Sequence, residues 1–411
     1  MTAPPADAVR KVRLASSPSP TGRPGEPLLD PQGPAVVLGG ADPLLGAVTP
    51  SASTLFGPRG AALVGDGEDG PLVVSDTGHH RLLGWRRRPT EDGQAADWVI
   101  GQPDFGSEGR NGGGAPGPAT LNAPTGVARV GDGLAVADGW NNRVLLWRTV
   151  PTESHTPADV VLGQDDAHSI APNRGDAVGD GEVGPTTLHW PFQVMEHEGR
   201  LLVADTGNRR ILIWNQLPDR HGAPADVVLG QTSLTERSDN SGEAVGRGSF
   251  RWPHDLAVVG GDLVVTDAGH NRVLVFDGVP SHSGVPARAV LGQPDFDSVD
   301  HNRGAYWPDE RSMNMPYAVA AWRDLLVVAD TASSRLVGFA PPFLADQDRP
   351  ATHLTGQVHF GLKGDNRWRL PERDSLCWPY GLDLHPGWAV VSDTGNHRVL
   401  LWRRADRGVP A

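Results

Sequence analysis

The chain has 411 residues, with 49 acidic and 36 basic side chains and a formal net charge of -13. This balance disfavours a surface that binds nucleic acid or anionic lipid, because both need clustered basic side chains. Cys377 is the only cysteine, which excludes an intrachain disulfide framework. No run is apolar and long enough for a signal peptide or a membrane span, so we expect a cytoplasmic protein.

The first 33 residues are rich in Pro, Ser and Gly and show no hydrophobic periodicity, as in Ser17-Pro18-Ser19-Pro20. This composition predicts a disordered N-terminal tail over residues 1–33. A strand-like run, Ala35-Val36-Val37-Leu38-Gly39, follows it. We predict that residues 34–411 form a single domain.

One unit of sequence then recurs six times. Each unit opens with a proline at the start of an apolar run: Pro58, Pro124, Pro191, Pro253, Pro316 and Pro379. A second run ends in an Asp, and an Arg five residues later opens a third run; the pairs are Asp76/Arg81, Asp138/Arg143, Asp205/Arg210, Asp267/Arg272, Asp330/Arg335 and Asp393/Arg398. Successive Asp residues are 62, 67, 62, 63 and 63 positions apart. Four short runs per unit predict a four-stranded antiparallel blade, and the regular period predicts a closed radial array.

The two ends of the chain predict how the array closes. The sixth unit reaches Ala411 without a fourth strand, and the run 35–39 resembles the fourth strand of the other units. We therefore predict that the N-terminal strand completes the last blade, which removes two exposed sheet edges. The predicted fold is all-β, a six-bladed β-propeller.

The turns between the paired Asp and Arg resemble the NHL-repeat family. The resemblance is strongest at Asp205-Thr206-Gly207-Asn208-Arg209-Arg210 and at the corresponding turn 393–398, and it spans about residues 35 to 403. It implies a six-bladed propeller. The family includes protein-binding modules, RNA-binding domains and peptidyl-hydroxyglycine lyases that hold a metal in the channel, so the resemblance does not select a function.

The paired Asp and Arg recur identically in every unit, which favours a structural role. We expect each carboxylate to accept turn amides and to pair with the guanidinium across the strand ends. The four histidines of the turns, His79, His80, His270 and His397, are interpreted as turn caps. A zinc site would need several ligands at one point, whereas the turns are spread around a ring.

The positions that differ between units are the better candidates for a site. Directly after the opening prolines stand Arg59, Thr125, Phe192, His254, Tyr317 and Tyr380, and next come Gly60, Gly126, Gln193, Asp255, Ala318 and Gly381. These positions begin the innermost strands, so they are expected at the mouth of the channel. The candidate ligand-binding residues are Arg59, Phe192, His254, Asp255, Tyr317 and Tyr380. The alternative is a water-filled polar channel end.

The long connections between units, about 20 residues each, are predicted to lie on the same face as the Asp-to-Arg turns. Long varied loops on a rigid scaffold favour a non-catalytic module that binds a protein or peptide, monomeric unless it belongs to a larger complex. The alternative is an enzyme at the channel mouth, a lyase or hydrolase. We predict no cofactor; for the alternative, the family resemblance implies a divalent metal in the channel, as in the peptidyl-hydroxyglycine lyases. RNA binding through Arg174, Arg303 and Arg367 ranks third.

Overall fold

The computed structural model describes residues 22–40, 49–65, 69–176, 180–322, 325–340 and 348–405. Within these ranges the chain forms twenty-five strands and eleven short 3-10 helices. No helix among them is both long enough and apolar enough to cross a membrane.

The strands in chain order are β1 (Glu26–Pro27), β2 (Val36–Gly39), β3 (Gly60–Leu63), β4 (Leu72–Asp76), β5 (Arg81–Trp85), β6 (Trp98–Ile100), β7 (Pro124–Val130), β8 (Gly133–Asp138), β9 (Arg143–Trp147), β10 (Val160–Leu162), β11 (Pro191–His197), β12 (Arg200–Asp205), β13 (Arg210–Trp214), β14 (Val227–Leu229), β15 (Pro253–Val259), β16 (Asp262–Asp267), β17 (Arg272–Phe276), β18 (Ala289–Leu291), β19 (Pro316–Trp322), β20 (Leu325–Asp330), β21 (Arg335–Phe339), β22 (His353–Thr355), β23 (Pro379–His385), β24 (Trp388–Asp393) and β25 (Arg398–Arg403). The 3-10 helices are Thr77–His79, Arg110–Gly113, Gly139–Asn141, Pro172–Arg174, Thr206–Asn208, Asp239–Gly242, Ala268–His270, His301–Gly304, Thr331–Ser333, Asp365–Trp368 and Thr394–Asn396.

The strands form six antiparallel blades, numbered one to six from β3 onward. Blades one to five are β3–β6, β7–β10, β11–β14, β15–β18 and β19–β22, and blade six contains β23, β24, β25 and β2. This arrangement confirms the predicted six-bladed propeller. Each blade begins with its innermost strand, and the chain reverses at every following strand. The Asp-to-Arg turns and the connections between blades therefore lie on one face, the loop face; the opposite face is the hairpin face.

The N-terminal strand closes the ring as predicted. Strand β2 pairs antiparallel with β25, with Val36 opposite Leu401. The indole of Trp402 donates to the carbonyl of Asp30 at 2.8 Å. In blade one, the equivalent Trp85 donates to the carbonyl of Gln94, nine residues later in the sequence. The N-terminal segment thus supplies both the strand and the carbonyl that blade six lacks.

The predicted disordered tail is wrong for its last part. Strand β1 pairs in parallel with β22 at the outer edge of blade five, with Glu26 opposite His353. Leu28 and Leu29 are each only 2% exposed and pack with apolar residues of blades five and six. Burial of this leucine pair removes apolar surface from water, which a composition argument over 33 residues does not detect. Residues 1–21 lie outside the described residues.

The hydrophobic core lies between neighbouring blades. Each of six apolar clusters combines residues of two adjacent sheets, as blades three and four do around Ile211 and Leu274. Both faces of a blade are therefore covered, and successive residues such as Leu201, Leu202 and Val203 are all 0% exposed. This explains why the strands are continuous apolar runs and do not alternate with polar residues.

Candidate functional site

Each of the six repeated Asp and Arg residues forms an ion pair with its partner. The Arg Nε lies 2.7–2.9 Å from the Asp Oδ2 in all six, and the side chains are almost completely buried. In blade three the Arg210 guanidinium also donates to the carbonyls of Leu234 at 2.6 Å and of Gly184 and Thr187 at 3.0 Å. These carbonyls belong to the connections on either side of the blade. The pair therefore fixes two loops to the scaffold.

Contrary to expectation, the described carboxylates accept no backbone N–H of the turn; from the turn they accept side-chain donors, as when Nδ2 of Asn208 donates to Oδ2 of Asp205 at 2.8 Å. The Oδ1 of Asp205 accepts the backbone N–H of His189 at 2.8 Å, and the Oδ1 of Asp267 accepts that of Arg251 at 2.9 Å. Both donors precede the opening proline of the blade. The backbone N–H groups of the turn do not need the carboxylate, because the turn is a 3-10 helix in which the N–H of Arg209 donates to the carbonyl of Thr206. The Asp carboxylate is therefore available to the loop.

The turn histidines have two different partners. His79 and His270 place Nδ1 at 2.8 and 2.7 Å from the Asp of their own turn. His80 and His397 use Nδ1 to accept a backbone N–H of the next blade, from Ala123 at 2.9 Å and from Gly57 at 3.0 Å. Burial lowers the pKa of His80 and of His397. Among the residues described, no three His, Cys, Asp or Glu side chains are grouped so that they could hold a metal ion.

Five of the predicted mouth residues, contributed by five different blades, converge in the structure. The ring centroids of Phe192 and His254 are 4.3 Å apart, those of His254 and Tyr317 are 4.2 Å apart and stacked, and those of Tyr317 and Tyr380 are 4.5 Å apart. The Arg59 guanidinium lies 5.1 Å from the Tyr380 ring centroid. These five residues are called the mouth cluster. Their rings pack against one another at the loop-face end of the channel.

Thr125 occupies the equivalent position in blade two but stands apart from these rings. Its hydroxyl donates to the carbonyl of Phe192 at 2.7 Å, and the residue is 1% exposed. The side chain therefore connects two neighbouring inner strands.

His254 is neutral and enclosed within the mouth cluster. Its Nδ1 bonds to the carbonyl of Trp252 at 2.9 Å, and burial lowers its pKa to about 4. Burial also raises the pKa of Tyr317 and Tyr380, and the Tyr317 hydroxyl hydrogen-bonds to that of Tyr380. A neutral imidazole stacked on a tyrosine ring serves here as packing as well as a hydrogen-bond donor.

Asp255 is not part of the mouth cluster. Its Oδ1 accepts the N–H of Leu256 at 2.7 Å and its Oδ2 accepts the N–H of Val319 in blade five at 3.0 Å. Burial raises its pKa to about 7. Asp383, which the sequence analysis did not single out, bridges blades six and one in a similar way by accepting the N–H of Leu63 at 2.9 Å. Both carboxylates satisfy inner-strand amides that have no strand partner.

The channel beneath the mouth cluster is a cavity of about 380 Å³ lined by the six inner strands. Gln193 and Asp255 line its upper part, and Arg129, Glu196 and His385 line the part nearer the hairpin face. The glycines that directly follow the mouth positions leave room for neighbouring side chains. A Cβ at Gly126, for example, would lie 2.1 Å from the Gln193 Oε1. The varied residues at these positions therefore fit one another across neighbouring blades.

Exposed large hydrophobic side chains are concentrated on the loop face. Eight are found among the described residues, and seven of them lie in connections between blades or in an Asp-to-Arg turn: Phe56, Trp140, Trp252, Tyr306, Val358, Trp368 and Leu370. Leu217 is on the hairpin face. The repeat predicts the loops of this face. It does not distinguish Tyr306 or Trp368 within them, because the exposure of a side chain depends on the path of its loop.

Trp368 adopts a left-handed backbone conformation, and at the equivalent position of three other loops the residue in this conformation is a glycine. The φ of Trp368 is +61°, and the matching loop positions are Gly113, Gly242 and Gly304, at +76°, +78° and +80°. A left-handed backbone is unfavourable for a residue with a Cβ. Trp368 is nevertheless 69% exposed, so burial of its ring does not account for the tryptophan.

A match to a family model supports the repeat family. Residues 250–276 match the family model of the NHL repeat. Similar solved structures include a streptogramin B lyase, at 9% identity over 83% of this chain and 77% of that one, and a virginiamycin B lyase from Staphylococcus aureus, at 9% over 86% and 97%. The computationally designed Ika8 protein is 11% identical over 90% and 99%. All three have a TM-score of 0.41. No curated protein sequence matches significantly.

Proposed function

Because the chain is an NHL-repeat β-propeller, we propose that it is a non-catalytic scaffold that binds a protein or peptide through its loop face. The observation that carries this proposal is the asymmetry of exposed apolar surface: seven of the eight exposed large hydrophobic side chains among the described residues lie on that face. Clustered exposed hydrophobic groups on a water-exposed surface are typical of interaction sites. On the hairpin face, the described residues include one exposed large hydrophobic side chain, Leu217.

The rigidity of the loops also supports the proposal. Each connection between blades is held by buried guanidinium groups through its backbone carbonyls, as Arg210 holds residues 184, 187 and 234. A partner that binds preorganised loops loses less conformational entropy on their side of the interface. The varied side chains are thus presented in fixed positions.

The test is affinity purification from the native extract with the tagged full-length chain, followed by quantification of recovered proteins. We expect a partner that the wild type recovers and that a Tyr306→Ala/Trp368→Ala double variant loses. Leu217→Ala, which truncates the exposed apolar side chain of the hairpin face, is the matched control and should recover it fully. Equal recovery by all three proteins, or loss in the control alone, would contradict the proposal.

The convergence of Arg59, His254 and Tyr317 is the observation that favours the second candidate, an enzyme at the channel mouth. Weighing against it, His254 has a lowered pKa and stacks on Tyr317, so it is poorly placed as a general base. Metal analysis of purified protein tests the metal-dependent form of this candidate. Less than about a tenth of an equivalent of bound metal would remove it.

A further inference from the structure

Unlike the six repeated arginines, Arg59 has no acceptor for its guanidinium among the described residues. Its contact in the described part of the chain is the face of the Tyr380 ring, at 5.1 Å, and no described carboxylate or carbonyl bonds to the group. The side chain is half-buried at the centre of the loop face. A guanidinium carries five N–H donors, and a partly buried one normally satisfies them with carboxylates or carbonyls.

Tyr380 adds a second donor at the same place. The Tyr317 and Tyr380 ring centroids are 4.5 Å apart, and their hydroxyl groups are close enough to interact. No carboxylate or carbonyl of the described residues bonds to the Tyr380 hydroxyl, which can therefore donate to a bound group. A cation and a hydroxyl group therefore lie side by side at the mouth, and neither bonds to a carboxylate or carbonyl in the part of the chain that the structure describes.

Asp255, the buried carboxylate next to His254 of the mouth cluster, forms no ion pair with Arg59 among the described contacts. Both oxygens of Asp255 accept backbone N–H groups, from Leu256 and Val319, and Arg59 is not among the groups that shift its pKa. The acceptor that would complete the site therefore has to come from outside the mouth.

We propose that Arg59 and Tyr380 bind one carboxylate, presented as a glutamate or aspartate side chain by the protein that covers the loop face. The inference rests on the proposed function and names the chemistry at the centre of that interface. A monoanion fits because the site supplies a single cation in a protein of net charge -13, which disfavours a dianionic phosphate. The exposed apolar side chains around the mouth would exclude water once covered, and charge-assisted hydrogen bonds are stronger there.

The test uses a matched pair of small probes, N-acetyl-glutamate α-amide and its neutral isostere N-acetyl-glutamine α-amide. Binding to the full-length protein is measured by ligand-observed saturation-transfer NMR at neutral pH. We expect the glutamate probe to bind and the glutamine probe not to bind. Arg59→Gln should weaken binding by about tenfold or more, and Tyr380→Phe, which keeps the ring under the guanidinium, by about fivefold.

Arg110→Gln is the control variant, because Arg110 also lies over an aromatic ring of the loop face, that of Trp140 at 5.4 Å, but outside the mouth. It should bind the glutamate probe like the wild type, and unchanged melting temperatures show that the variants are folded. The inference is overturned if the glutamate probe does not bind, if the glutamine probe binds equally, if Arg59→Gln retains binding, or if inorganic phosphate binds in preference. Should the probe fail while the Tyr306/Trp368 variant still loses its partner, the carboxylate site is wrong and the proposed function stands.

Discussion

The imidazole Nδ1 of His397 accepts the backbone N–H of Gly57 at 3.0 Å, across the junction between the last and first blades. The same turn position holds Asn142 and Asn271 in blades two and four, whose Oδ1 atoms accept the corresponding N–H at 2.9 Å. An imidazole nitrogen can accept a hydrogen bond only while it carries no proton. The closure of the ring therefore depends on pH in a way that the asparagine junctions do not.

His397→Asn should remove this pH dependence and keep the junction. Burial lowers the pKa of His397 from 6.5, so its contribution to stability is present above that value and is lost as the pH falls through the lowered pKa. We expect wild type and variant to melt at similar temperatures near pH 7.5, and the variant to be the more stable near pH 5. Thermal unfolding at both pH values measures this difference.

His282→Asn provides the control, because His282 is exposed on the hairpin face. It should follow the wild type at both pH values. If it gains relative stability in acid as much as His397→Asn does, the effect does not arise at the ring junction.

Arg210→Lys should destabilise the propeller strongly. A lysine has a single charged nitrogen and cannot reach Asp205 and three loop carbonyls in different directions at once. Leaving those buried groups without a donor should cost about 3 kcal/mol. Arg209→Lys is the neighbouring control, since Arg209 pairs with the exposed Asp239, and it should cost less than about 1 kcal/mol in urea unfolding. Equal losses in the two variants would refute the role given to the buried guanidinium.

The fold could be predicted from the sequence because every blade repeats the same side-chain interactions. Asp205 and Arg210 recur at a fixed spacing, and that spacing locates the strands, the face of the loops and the missing strand at the C-terminus. The packing of Leu28 and Leu29 could not be predicted, because two leucines in a Pro-rich segment carry no periodicity. Their burial depends on an apolar edge at blades five and six that only the assembled fold creates.

The candidate site could be predicted in part for the same reason. The opening prolines give each inner strand a common origin, which placed Phe192, His254 and Tyr317 at one end of the channel. Whether their rings touch depends on channel radius and rotamers, which no sequence spacing specifies. Asp255 separates from the cluster because the register of its strand shifts between Pro253 and Leu256, so that its carboxylate reaches the next blade.

Ser333→Asn should stabilise blade five. In blade three, Asn173 and Asn208 exchange two side-chain hydrogen bonds, at 3.1 and 2.8 Å, between loop and turn. The corresponding residues of blade five are Asn302 and Ser333, whose buried side-chain polar atoms have no partner among the described residues. An asparagine at position 333 would restore the exchange and raise the unfolding free energy by about 1 kcal/mol.

The reverse change in blade three, Asn208→Ser, should lower the unfolding free energy, because it leaves Asn173 in the state now seen for Asn302. Denaturant titrations of both variants provide the comparison. Destabilisation by Ser333→Asn as well would mean that the blade-five site is closed to a larger side chain.

Asp255→Asn should change the pH dependence in the opposite sense to His397→Asn. Burial raises the pKa of Asp255 from 3.8 to about 7, so its contribution is fully present below the lower value and is lost as the pH rises through the higher one. The wild type should therefore lose stability between about pH 4 and pH 7 relative to the variant, by about 3 kcal/mol. Asp132→Asn, with a side chain 96% exposed, should show no such trend in urea unfolding. A parallel trend in both variants would exclude Asp255 as its source.

Trp368→Gly should separate stability from binding. Glycine is the residue at the matching positions 113, 242 and 304, and it adopts the left-handed backbone of Trp368 without steric cost. Relief of that cost, reduced by the greater freedom of glycine in the unfolded chain, should raise the unfolding free energy by about 0.5 kcal/mol. Recovery of the loop-face partner should fall, because a 69% exposed indole is removed from the surface.

Trp252→Gly tests whether the backbone conformation is the cause. Trp252 is also exposed on the loop face, at 38%, but its φ is not positive. Glycine at this position relieves no strain and adds freedom to the unfolded chain, so Trp252→Gly should lower the unfolding free energy. Opposite signs for the two substitutions in urea unfolding would identify Trp368 as a strained residue kept for a surface role. Equal destabilisation would mean that its ring contributes to packing, and the loop face would lose its strongest candidate for a binding hot spot.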